Sequence, residues 1–126
     1  MKKLLLLAAL TLPAAALACP VKPGYVANGL FKDASHTTPI CGPLYLAFQH
    51  SMAGAKWTEM YALDPNRAGD LQVERLLAGL QKSGYRSVKA QKTARSQAYQ
   101  FQRGAHTITA VVGQSGPVRY LGLAGQ

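Results

Sequence analysis

The chain has 126 residues, with 14 Lys and Arg against 5 Asp and Glu, and a formal net charge of +9. A chain of this length supports one modest core, and no low-complexity linker divides it into two domains. The acids are few and scattered, and their spacing pairs no two of them for acid–base work.

The N-terminus has the three parts of a secretory signal. Lys2 and Lys3 give a positive start, Leu4 to Leu12 carry no charge, Pro13 breaks the helix, and Ala16-Leu17-Ala18 is a small-x-small cleavage triplet. The apolar stretch from Leu4 to Ala18 is about 15 residues, short of the roughly 20 that a spanning helix needs. Residues 1–18 are therefore expected to be removed. Residues 19–126 then form a single exported domain, secreted or periplasmic. Cleavage after Ala18 makes Cys19 the first mature residue, and this junction is similar in part to the lipobox of bacterial lipoproteins, in which that cysteine is lipidated. The match is incomplete, because the Leu usually found three residues upstream is Ala16 here and the Leu falls at Leu17. The competing use of Cys19 is a disulfide to Cys41, the only other cysteine. It would close a loop of roughly 20 residues and stabilise by about 3 kcal/mol.

Cys19 to Pro43 is rich in Pro and Gly and reads as an irregular arm tied down by that disulfide. From Pro43 to Ala55, residues Leu44, Ala47, Phe48, Met52 and Ala55 fall near one helical face, although Tyr45–Phe48 also fits a buried strand. Helix is preferred. Trp57 to Leu63 has the aromatic content of a strand, ended by Asp64-Pro65-Asn66. Val73, Leu76, Leu77 and Leu80 stand at i, i+3, i+4 and i+7, the stripe of an amphipathic helix from about Asn66 or Gly69 to Ser83. Gly84 suits its left-handed end, and Leu77 is expected against the sheet. Four short strands follow: Tyr85–Gln91, Gln97–Arg103, Thr107–Val112 and Val118–Leu123, with connections too short for anything but antiparallel neighbours. The expected fold is α+β: one main amphipathic helix on a four-stranded antiparallel meander, preceded by the irregular arm.

Charge is distributed unevenly. Without Lys2 and Lys3 the net is +7, made of −1 over residues 19–74 and +8 over residues 75–126, where no Asp or Glu occurs. An acid-free half-chain sets up a positive field that attracts polyanions. Arg86, Lys89, Lys92, Arg95 and Arg103 are the candidate anion-binding residues. Tyr85, Tyr99, Phe101 and Tyr120 are interleaved with these and Arg119, the composition of a stacking and phosphate-binding sheet, unless that face lies under the helix.

No local motif names a reaction: there is no G-x-S-x-G elbow, P-loop or dinucleotide fingerprint. An enzyme of unknown type stays open, since triads assemble in space. A second alternative is an envelope copper carrier. His50 and Met52 pair imidazole with thioether as Cu(I) prefers, with His36, Met60 and His106 as further candidates. On a helix, however, residues two apart point about 200° away from each other. The preferred expectation is a non-enzymatic exported binding domain without cofactor. Its cationic C-terminal half would meet a polyanion: a cell-envelope polymer, a lipid headgroup or nucleic acid. Mature protein starting at Cys19 should weigh about 2 Da less before reduction than after it, as one disulfide requires. A diacylglyceryl mass increment in an intact-mass measurement would establish the lipid instead.

Overall fold

The structure is a computed structural model that describes residues 24–33 and 37–126. The proposed signal, Cys19, Lys22 and His36 lie outside the described residues. The elements in chain order are β1 (Tyr25–Val26), β2 (Phe31–Lys32), β3 (Thr38–Pro39), α1 (Pro43–Ser51), β4 (Trp57–Leu63), α2 (Asn66–Lys82), β5 (Arg86–Lys92), β6 (Gln97–Arg103), β7 (His106–Ser115) and β8 (Val118–Gly125).

The expected α+β class is present, but its sheet is wider. Strands β3 to β8 form one six-stranded sheet in the order β3-β4-β8-β7-β6-β5, and each neighbouring pair is antiparallel. The four-stranded meander survives as β5 to β8, extended at β8 by β4 and then β3. The cause lies in β8 itself. Leu121 and Leu123 face α2, whereas Gly122 and Ala124 face the opposite side, and the whole run from Leu121 to Gly125 is buried. A strand covered on both faces belongs in the middle of a sheet, with a partner on each edge. Strand β4 supplies one, pairing from Trp57↔Gly125 to Leu63↔Arg119.

Two helices, rather than one, cover the sheet. Helix α2 carries the chain from β4 to the far edge at β5 and lays Val73, Leu76 and Leu80 on Tyr61, Phe101, Ile108, Leu121 and Leu123. Gly84 follows it at φ 95°, a left-handed position that spares a Cβ clash. Leu77, expected in the core, is only half-buried, and Leu76 takes the central place. Helix α1 resolves the ambiguous segment as helix. Pro43 opens it, since the first turn needs no N–H donor there. It packs Tyr45 and Phe48 on Met60 and Ala124 on the other sheet face. The Phe48 ring rests on Gly122, where a Cβ would stand 2.6 Å from it. Because α1 reaches β4, β8, and Val111 and no further, the same face of β6 and β5 stays uncovered.

The arm is not irregular throughout. Tyr25–Lys32 makes an antiparallel hairpin, and Thr38 and Pro39 pair with Ala62 and Tyr61 at the sheet edge. The hairpin lies on the α2 face: Val26 is fully buried, and the Phe31 ring sits where a Cβ on Gly79 would be. Cys41 is disulfide-bonded and exposed.

Leu76→Ala should destabilise by about 2–5 kcal/mol in denaturant melts, and Leu77→Ala by clearly less. Gly79→Ala should also destabilise, against its helix propensity, because Phe31 must be displaced.

Candidate functional site: a cationic depression and a buried carboxylate

Strand parity sorts the cations. On β6, Tyr99 and Phe101 belong to the α2 face, so their neighbours Ala98, Gln100 and Gln102 belong to the face of α1. Arg86 pairs with Gln102 and Lys89 with Gln100, which puts both cations on the α1 side, beyond α1 itself. A bulge between Ser87 and Lys89 preserves this arrangement across the irregularity. Lys92 pairs with Gln97 on the α2 side. Arg103 donates from Nη1 to the Ser83 carbonyl at 2.8 Å, and its guanidinium carbon lies 4.8 Å from the Tyr85 ring centroid. It fastens the end of α2 to β6. The five candidate anion-binding residues therefore do not form one patch.

Two of them do meet another cation. Lys92, Arg95 and Arg119 line a depression of about 170 Å3, completed by Thr93, Ser96, Gln97 and Gln114. Local chain chemistry builds it. The Thr93–Ser96 turn closes with the Thr93 N–H on the Ser96 carbonyl at 2.8 Å, while Ser96 N–H donates to the Thr93 hydroxyl at 3.1 Å. This turn projects Arg95. On the next hairpin, Gln114 pairs with Arg119 in register and donates to the Gly116 carbonyl at 3.1 Å. Arg119 also donates to the Asn66 carbonyl at 3.1 Å and forms an ion pair with Asp70. The depression thus holds three cations, one of which shares an exposed carboxylate at its margin. Arg119 is not among the five candidates that composition singles out. Counting the meander's register across from Gln97 to Val112 would have brought it in.

The aromatics part company with the cations. Tyr85 and Phe101 are buried, Tyr99 is half-buried and bonded through its hydroxyl to Gln97 at 2.7 Å, and Tyr120 packs near α1. The face that aligns Tyr99 with Phe101 is the one under the helix.

A second concavity of about 460 Å3 lies between the end of α1, the start of β4 and the β1–β2 turn, lined in part by Asn28, Tyr45, Gln49, Lys56, Trp57 and Glu59. Strand β3 covers β4 only at Tyr61 and Ala62, so β4 has no strand partner on this side from Trp57 to Glu59. The Tyr45 hydroxyl lies 2.8 Å from the Thr58 hydroxyl and donates to the Thr58 carbonyl at 3.3 Å. Glu59, 2% exposed, is the buried acid among the described residues. Its carboxylate accepts the Ala27 N–H at 2.9 Å, the Asn28 N–H at 2.5 Å and the Tyr61 hydroxyl at 2.6 Å. Burial pushes the Glu59 carboxyl above its ordinary value, and the bonds from Tyr61, Asn28 and Ala27 pull against that rise. Burial, with the adjacent Glu59, pushes the Tyr61 phenol upward.

The copper candidates are dispersed. His50 is exposed in the last turn of α1, Met52 packs against the α1 core, Met60 is buried beneath it, and His106 is exposed at the start of β7. No cluster of three or more His, Cys, Asp or Glu that could hold a metal occurs among the described residues. No described helix is long and apolar enough to cross a membrane. Comparison with protein-family models, curated proteins and solved structures finds no match to this chain.

A carboxyl whose folded pKa is raised binds protons more readily in the native than in the unfolded state. Stability therefore falls as pH rises from about 4.5, the ordinary value, through the raised folded value, and levels off above it. Thermal midpoints measured across that interval should show this decline in the wild type, and Glu59→Gln should flatten it.

Proposed function

We propose that this chain is an exported binding domain that seats an anionic group of its partner between Lys92, Arg95 and Arg119. The observation that carries the proposal is the meeting of three cations, from β5, from the turn after it and from β8, around one small depression. Its volume of about 170 Å3 is below the range of ordinary small-molecule pockets and equals some five or six water volumes, which suits a single oxyanion. Three donors of this kind make charge-assisted bonds to such a group, and Ser96, Thr93 and Gln114 add neutral donors beside them. The absence of Asp and Glu from residues 75–126 leaves Asp70 as the acid at the margin of the site.

A polyanion is the partner class that this charge favours: a cell-envelope polymer, a lipid headgroup or a nucleic acid. Export rests on the signal-like residues 1–18. The oxidised state of Cys41 supports a Cys19–Cys41 bridge, since a lipid on Cys19 would occupy its sulfur.

On immobilised heparin, log K should fall linearly with log salt. Lys92→Gln with Arg95→Gln should lower that slope by about 0.7–0.9 for each anionic group no longer neutralised, whereas Lys32→Gln with Lys56→Gln should leave it unchanged. Equal effects of the two pairs, or retention insensitive to salt, would reject the depression as the site.

A further inference from the structure

We infer that the uncovered sheet face of β5, β6 and β7 is a second binding surface, made for a linear polymer that carries both anionic groups and hydroxyls. This surface lies on the opposite side of the sheet from the Lys92–Arg95–Arg119 depression and stands independently of it. The register makes it regular. Thr107 pairs with Gln102 and Gln102 with Arg86; Thr109 pairs with Gln100 and Gln100 with Lys89. Two parallel rows result, each running threonine, glutamine, cation from β7 out to the sheet edge. Both glutamines and both cations are exposed, and the threonines are half-exposed.

Sheet geometry sets the spacings: about 6.8 Å between the rows along the strands, and about 4.8 Å between neighbours within a row. Arg86 and Lys89 thus offer two positive groups about 7 Å apart along the edge, without a carboxylate on this face to compete, since residues 75–126 contain none. Inward of them lie groups that both donate and accept. A glutamine amide and a threonine hydroxyl can each bond a ligand hydroxyl in either direction, which a cation cannot. No aromatic ring belongs to this face of β5, β6 or β7: Tyr99 and Phe101 alternate to the α2 side. A single-stranded nucleic acid finds no stacking platform here, and stacking carries much of the affinity of such ligands. Charge at the edge, hydroxyl-matching groups inside and no rings together select an acidic polysaccharide or a polyol phosphate. These share one chemistry from two sources.

The test uses the full mature chain with four probes matched in charge: dextran sulfate, poly(glycerol phosphate), inorganic polyphosphate and oligo(dT). The two hydroxylated polymers should bind more tightly than the other two. They should also shift the backbone amide resonances of residues 86, 89, 100, 102, 107 and 109 in the wild-type protein. Gln100→Ala with Gln102→Ala, which alters no charge, should weaken the hydroxylated polymers by about three- to tenfold, as the loss of hydrogen bonds of ordinary strength requires, and leave polyphosphate unchanged. The polymer more strongly affected identifies the source. Arg86→Gln with Lys89→Gln should weaken all four. The inference is overturned if polyphosphate or oligo(dT) binds as tightly as the hydroxylated polymers, if the glutamine pair has no effect, or if resonance shifts are confined to the Lys92–Arg95–Arg119 side. In that last case the depression stands and this face does not; loss of binding in the Arg86/Lys89 variant alone, with the Lys92/Arg95 variant unaffected, separates them the other way.

Discussion

The carboxylate of Glu59 is the point on which the N-terminal part of the fold hangs. It sits near the middle of β4, on the face shared with α2, and has no direct ion-pair partner among the described residues. What it has is three donors, two of them successive backbone N–H groups in the β1–β2 turn. Those groups converge because Ala27 and Asn28 adopt left-handed backbone at φ 58° and 57°. Asn tolerates that region; Ala does so at a cost of roughly 1–2 kcal/mol. The turn accepts the strain because relaxing it would leave a buried carboxylate short of its donors, a larger loss. Through this tie the hairpin is pinned to the sheet, and Val26 and Phe31 are held over α2. Tyr61 completes the arrangement. Its hydroxyl donates to Glu59 and lies 3.4 Å from the Tyr25 carbonyl, so it has a second acceptor when Glu59 takes up a proton.

Rings laid on glycines show how the same sheet accepts two helices without widening its layers. Phe48 on Gly122 and Phe31 on Gly79 each exploit a missing Cβ to bring an element closer than ordinary side chains would permit. Trp57 does the same for its direct cross-strand partner Gly125, and Tyr120 for its partner Gly113. A glycine in a strand weakens it, and an aromatic ring over the gap restores the missing burial. The strand pairs of this kind lie on β4, β8 and the adjoining part of β7, where the sheet is most buried. They do not reach β5, whose seven residues are all exposed. The molecule is therefore built with a tightly packed side and a solvated side, and the cations of its second half fall mostly on the latter.

The legible parts of the sequence were those governed by local period and turn chemistry. The stripe Val73, Leu76, Leu80 and the glycine that ends it placed α2 to within a residue, and alternation with short turns placed β5 to β8. Which of Leu76 and Leu77 is central was not legible, since the two are 100° apart and only the sheet decides between them. The sheet's width was hidden for a related reason: pairing β4 with β8 joins residues about sixty positions apart, and no local rule reports that. A signal was available in Leu121-Gly122-Leu123-Ala124-Gly125, which has no polar residue and so does not read as an edge strand. The β1–β2 hairpin gave little warning, because its turn is stabilised by an acid 31 and 32 residues away rather than by its own side chains. For the candidate site, composition revealed the sign of the charge but not its arrangement.

Arrangement is where topology does more than charge. A cation at any β5 position contributes the same +1, yet parity sends Arg86 and Lys89 to one face and Lys92 to the other, and the bulge after Ser87 sets where the division falls. Deleting one residue from that bulge would shift the register of everything N-terminal to it and carry Arg86 to the α2 side, with no change in net charge. Arg103 makes the complementary point. Held by the Ser83 carbonyl and the Tyr85 ring, it commits its donors to the end of α2 and is less free to recognise a ligand than its place in the basic half suggests. Arg119 lies between these extremes, since Asp70 and the Asn66 carbonyl orient one edge of its guanidinium while the rest lines the depression. A guanidinium fixed in this way loses less rotamer freedom on binding than a solvated lysine, so the residue partly committed to the fold is also the better pre-organised anion ligand.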